Sequence, residues 1–133
     1  MIIVLQYLHV LFGIFWFGSQ MYFELTVRPA AAALDPTARA EFDRRTGTGR
    51  ARRITVFVAT ATVALGAIRG IAGGVLDQLT TLYGMTWLAA FAIGAFMMLS
   101  VWTRGFGGRV TGIPWNGLFF VIFSLMIAMR FGY

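Results

Sequence analysis

Four long runs of apolar residues divide the chain. The first extends from about Ile2 to Val27, the second from Ile54 to about Gly74, the third from about Leu82 to Thr103 and the fourth from about Ile113 to Phe131. A helix needs about 20 mostly apolar residues to cross a bilayer. The pattern therefore predicts an all-α protein, an up-and-down four-helix bundle integral to a membrane, with residues 1–133 forming one transmembrane domain. A long arginine-rich segment, 28–53, joins the first two runs. Within it Asp35-Pro36 reads as a helix start, with Asp as N-cap and Pro at the first helical position. A short surface helix should run to about Arg45, with Thr46-Gly47-Thr48-Gly49 ending it. The connection around Gly73, Gly74 and Asp77 is short, and the one from Arg104 to Gly112 holds four glycines, which favour a turn.

Polar residues interrupt the apolar runs in a regular way. At about 100° per residue, Gln6, His9, Gly13, Gln20, Glu24 and Arg28 fall on one narrow stripe of the first span, and Ser19 lies off it. Polar groups inside a membrane are costly and face the bundle interior, so this stripe should face other helices. The second span has a matching side of Thr55, Ala59, Thr62, Gly66, Arg69, Gly70 and Gly73. Gly66 and Gly70 form a small-xxx-small pair, as do Ala90 and Gly94 in the third span, and such pairs let backbones approach closely. Glu24, at the far end of its span from His9, should meet Arg28 or lipid headgroups. Counting residues along antiparallel spans brings Gln6, His9, Arg69 and Arg130 to the same end of the bundle.

Composition supports a membrane protein and excludes other classes. Hydrophobic residues make up 59% of the chain and charged residues 12%. A soluble domain carries about 25% charged residues, and disorder requires low hydrophobicity. The formal charge is +6, and all 11 basic residues are arginine. Nine of them lie in segment 28–53 or the 104–112 connection, leaving Arg69 and Arg130 at the opposite end. Cytoplasmic loops collect arginine, so both termini should lie outside a plasma membrane with the two basic connections in the cytoplasm. Trp102 and Trp115 then sit near the inner interface. Asp35, Glu41 and Asp43 interleave the arginines of the first connection, which borders a span. The lipid bilayer is thus the expected partner, and nucleic acid is not. The first run lacks a positive start and exceeds the core of a signal peptide, so it reads as a span. So small a bundle leaves apolar surface for a homo-oligomer or a membrane partner subunit.

The candidate chemistry centres on His9, the only histidine. With no cysteine present, imidazole is the obvious metal ligand. The leading reading is copper handling at a His-containing site in the outer half of the bundle, with two alternatives. For copper, thioethers suit Cu(I), and Met97, Met98, Met126 and Met129 lie on the last two spans, with Met129 close to His9 in depth. For haem b, His9 would be the axial ligand, and Arg69 and Arg130, with Gln6 nearby, would meet the propionates. In the third reading there is no cofactor and the chain is an accessory subunit. Ser19, Ser100 and Ser124 have no His–Asp relay, so no hydrolytic site stands out.

Leu8-His9-Val10, Trp16 seven residues after the histidine, Gly18 and then Arg28-Pro29-Ala30 resemble the first span of the copper-resistance protein D domain family. Leu8-His9 and the spaced Trp16 also resemble, more loosely, the HemJ-type protoporphyrinogen oxidases. The likeness covers about the first 30 residues and the four-span layout. Either resemblance implies His9 as the functional histidine on the outer side. The first implies periplasmic copper handling or uptake, and the second haem-assisted oxidation of a porphyrinogen. The chain departs from the HemJ type in having Arg28-Pro29 where that type tends to carry a second histidine. It departs from the copper family in having no further histidine, so a copper site would draw on methionine or a second subunit.

Overall fold

The computed structural model describes residues 2–104 and 115–131. Among them the secondary structure is entirely helical. Helix α1 (Ile2–Tyr22) continues through a π-helical turn (Phe23–Val27) into α2 (Arg28–Ala32). The widened turn has an identifiable cause. Pro29 cannot donate to the carbonyl of Leu25, and its ring would clash there in an α-helix. The Arg28 amide instead bonds the Phe23 carbonyl, five residues back.

The basic segment is itself helical. Helix α3 (Pro36–Gly47) begins where the Asp-Pro pair predicts, and the Asp35 carboxylate accepts the Thr37 and Ala38 amides at 3.0 Å each. The helix runs two residues beyond Arg45. Gly49, at φ +73°, then turns the chain directly into α4 (Gly49–Ala72). The second apolar run is thus extended by a basic first turn. After α4, Gly74 takes a left-handed conformation, φ 77°, and a 3₁₀ turn (Val75–Gln78) leads to α5 (Leu82–Arg104). Gly84 lies so close to the Gln78 carbonyl that a Cβ would have no room. The fourth helix is α6 (Trp115–Arg130). The glycine-rich turn expected between Arg104 and Gly112 falls almost wholly outside the described residues, as do Arg109 and the start of the fourth run, and the side chain of Trp115 is outside them too.

Neighbouring helices run antiparallel. Phe12 packs on Phe57 with ring centroids 5.9 Å apart, while His9, nearer the chain start, meets Thr62. Gly70 faces Trp87, Gly94 faces Val63, and Trp102 bonds Thr60. Helix α1 packs chiefly on α4, α5 packs on both α4 and α6, and α1 and α6 meet more sparsely. The main buried cluster lies toward the basic half, with Val75 buried separately at the opposite end. The cluster consists of Trp16, Val58, Ala59, Met97, Val101 and Phe119, with Trp16 and Phe119 edge to face at 5.2 Å.

Elsewhere the helices turn apolar side chains outward. Ile3, Val4, Ile14, Phe57, Leu99, Phe120 and Ile127 are all exposed. Three helical stretches, Ile2–Ala32, Gly49–Ala72 and Leu82–Thr103, are long and apolar enough to cross a membrane. The described part of the fourth, Asn116–Arg130, is shorter. Soluble monomers do not expose apolar surface on this scale.

Candidate functional site

Beyond the main buried cluster, toward the opposite end of the bundle, a partly open cavity of about 530 Å³ lies between α1, α4, α5 and α6. Gln6, His9, Arg69, Met129 and Arg130, singled out from the sequence, all line it, as does Met126. Met97 does not. It is fully buried in the core at the other end, where an unbranched thioether fills an irregular space.

Helix α1 delivers His9 to α4. The His9 Nδ1 donates to the Thr62 carbonyl at 2.8 Å. A carbonyl can only accept, so in the neutral ring the proton sits on Nδ1 and Nε2 keeps its lone pair. Among the described residues Nε2 has no hydrogen-bond partner. This is the arrangement in which a histidine serves as a metal ligand, with one nitrogen anchored on a backbone carbonyl and the other free. One glycine makes the approach feasible. A Cβ on Gly66 would stand 2.7 Å from the His9 Cε1, whereas a Cβ on Gly13 would lie at an ordinary 3.7 Å from the Thr62 methyl. The small-xxx-small pair of α4 thus serves two partners. Gly66 receives His9 from α1, and Gly70, one turn on, receives the Trp87 indole from α5.

Arg69 enters from the last turn of α4. Its Nη1 donates to the Tyr83 hydroxyl at 3.1 Å, and its Nε is buried without a partner among the described residues. None of the five carboxylates of the chain lines the cavity. Among the described residues Arg69 and Arg130 therefore have no acidic counterpart in the cavity, and a cation in an apolar bundle is costly until an anion pairs with it. The indole N–H of Trp16 is likewise buried and unpartnered. Apart from these polar groups the lining is apolar and aromatic, including Trp16, Trp87, Phe91, Phe119 and Phe123.

The basic end of the stripe is a separate feature. Gln20, almost fully buried, donates to Glu24 at 3.4 Å, and Glu24 pairs with Arg28 at 3.1 Å. Glu24 thus meets Arg28, as its spacing implies, and takes no part in the cavity.

Tyr83, Trp87 and Phe119 escaped the sequence reasoning as site residues. Tyr83 and Trp87 are four apart at the start of α5, at the depth of Arg69, and that shared depth was the available signal. Among the described residues no group of three His, Cys, Asp or Glu side chains could hold a metal ion. No protein-family model, no curated protein and no solved structure matches the chain.

Proposed function

We propose that this protein is integral to the plasma membrane, with both termini outside and the arginine-rich segment in the cytoplasm, and that its outer cavity binds haem b. The observation that carries the reading is a single anchored imidazole on an aromatic cavity with two arginines and, among the described residues, no carboxylate. A porphyrin brings four of its own nitrogens to the metal, so one protein ligand suffices. A bare metal ion would need several ligands, and His9 supplies one.

The residues fit the group by chemistry. His9 Nε2 would hold the iron, with its ring oriented by the Thr62 carbonyl. Arg69 and Arg130 would take the propionates, since guanidinium binds carboxylate in a two-pronged fork. Tyr83 would hold Arg69 in place from the side. The aromatic walls would exclude water from the ring. A volume of about 530 Å³ falls within the about 300–1,000 Å³ typical of ligand pockets. Bound haem would supply electron transfer or substrate oxidation.

A second reading, copper handling, has its own support in Met126 and Met129, whose thioethers line the same cavity as His9. Titrating detergent-purified protein with ferric haem, and separately with Cu(I), distinguishes the two. A saturable Soret shift that His9→Ala abolishes supports haem. Stoichiometric Cu(I) binding lost in Met129→Leu, without that shift, supports copper.

A further inference from the structure

At the basic end a second concavity opens on the outer surface, away from the cavity of His9. It holds about 480 Å³ and is lined by Arg52, Arg53, Val56, Phe57, Thr60 and Trp102. On α4 the sequence makes two parallel rows at helical spacing, Arg52-Val56-Thr60 and Arg53-Phe57. Trp102 of α5 forms the opposite wall. The rows pass from the two arginines to Val56 and Phe57, and the longer one ends at the Thr60 hydroxyl, eight residues and about 12 Å along the helix axis from Arg52.

The walls are fixed by hydrogen bonds. The Arg52 Nη2 donates to the Trp102 carbonyl at 2.7 Å, satisfying one of the last free carbonyls of α5. The Trp102 indole N–H donates to the Thr60 hydroxyl at 3.0 Å, and that hydroxyl donates to the Val56 carbonyl at 2.7 Å. Arg52 is thereby committed to the scaffold. Arg53 is exposed and has no hydrogen bond or ion pair among the described residues. Phe57, 63% exposed, floors the groove below it. No acidic residue lines it.

We infer that this groove is a binding site for one anionic phospholipid of the cytoplasmic leaflet, with its phosphate on Arg53 and an acyl chain laid over Val56 and Phe57 against Trp102. The inference rests on the membrane reading and is independent of any ligand in the outer cavity. Charge complementarity names the occupant. Among the described residues Arg53 has no ion-pair partner, and the apolar side chains of Val56 and Phe57 line the groove beside it.

The test uses the full chain in nanodiscs of phosphatidylcholine doped with phosphatidylglycerol, with bound lipid read by native mass spectrometry. Arg53→Gln should lower the preference for phosphatidylglycerol about five-fold, the worth of one guanidinium at a membrane surface. Arg39→Gln removes the same charge from α3, off the groove, and should leave the preference nearly unchanged. Phe57→Ala should weaken retention of both lipids. Equal losses in the Arg53 and Arg39 variants would mean diffuse attraction and overturn the site. Displacement of phosphatidylglycerol by inorganic phosphate alone would make it a free-anion site without an acyl subsite, which also overturns the proposal. A dimer in pure phosphatidylcholine that Phe57→Ala disperses would put a second copy in the groove, and would overturn the lipid site as well. Protein that stays soluble without detergent and fails to enter nanodiscs would refute the membrane reading instead.

Discussion

Gly66→Ala tests the seat of His9 most sharply. The added methyl would stand 2.7 Å from the imidazole Cε1. Carbon atoms prefer a separation of about 3.5–4.0 Å, so the ring would have to withdraw by roughly 0.8 Å. Thr62 lies one turn from Gly66 on the same helix, so the retreat also lengthens the 2.8 Å bond to the Thr62 carbonyl. At about 3.6 Å that contact is no longer a hydrogen bond. Overpacking costs about 1–3 kcal/mol and the lost bond about 0.5–1.5 kcal/mol, while alanine regains about 1 kcal/mol of helix propensity. The net expectation is a loss of about 1–3 kcal/mol, measured by equilibrium unfolding in detergent. Gly13→Ala, whose Cβ makes an ordinary 3.7 Å contact, and Gly18→Ala, which meets open space, should be neutral or slightly stabilising. A double-mutant cycle isolates the cause. In a His9→Ala background Gly66→Ala should keep only its propensity gain of about 1 kcal/mol, giving a coupling of about 2–4 kcal/mol. Additive effects, or a Gly66→Ala protein as stable as Gly13→Ala, would refute the close seating of His9 on α4.

Other consequences are open to direct measurement. Gly70→Ala would drive a methyl into the Trp87 indole, whose Cε2 would stand at 2.6 Å. It should cost about 1–3 kcal/mol and shift tryptophan fluorescence as α4 and α5 separate. The fork of Arg44 on Glu41, at 2.7 and 2.8 Å, joined by Arg45, holds the Glu41 carboxyl below its ordinary value of 4.5. Its contribution to α3 is therefore full above that value and is lost as pH falls through the lowered one. The protection of α3 amides should therefore fall in acid, below the ordinary carboxylate value, and Glu41→Gln should remove that pH dependence. Since the chain has no cysteine, Ala40→Cys offers a probe without background. It should resist a membrane-impermeant thiol reagent in intact cells and react after permeabilisation, and labelling in intact cells would invert the topology.

Much of this architecture was legible because it follows from local rules. The Asp35 cap and Pro36 need only their own neighbours, and α3 starts where they place it. The convergence of Gln6, His9, Arg69 and Arg130 followed from counting residues along antiparallel spans, because a polar group in an apolar helix has few places to go. The aromatic lining was hidden for the opposite reason. In an apolar run, Trp87 facing a cavity and Phe57 facing outward obey the same composition, and only the packing separates them. The partners of Gly66 and Gly70 were equally hidden, since spacing marks a close approach without saying which helix makes it. The start of α4 at Gly49 was missed because hydropathy marks where the apolar residues begin, while the helix itself continues through Arg50, Arg52 and Arg53. The π turn before Arg28 arises from Pro29 acting on the carbonyl of Leu25 four residues back, which an even stripe of 100° steps overlooks.

The central claim is that the outer cavity holds haem through His9. The most direct measurement is a visible spectrum, before and after reduction, with copper and iron analysis on the same detergent-purified sample. A Soret band that shifts on reduction, with iron near one per chain and both lost in a folded His9→Ala variant, is the predicted result. A colourless sample that takes up no haem on reconstitution would contradict it, and stoichiometric copper without a Soret band would transfer the site to the thioethers of Met126 and Met129.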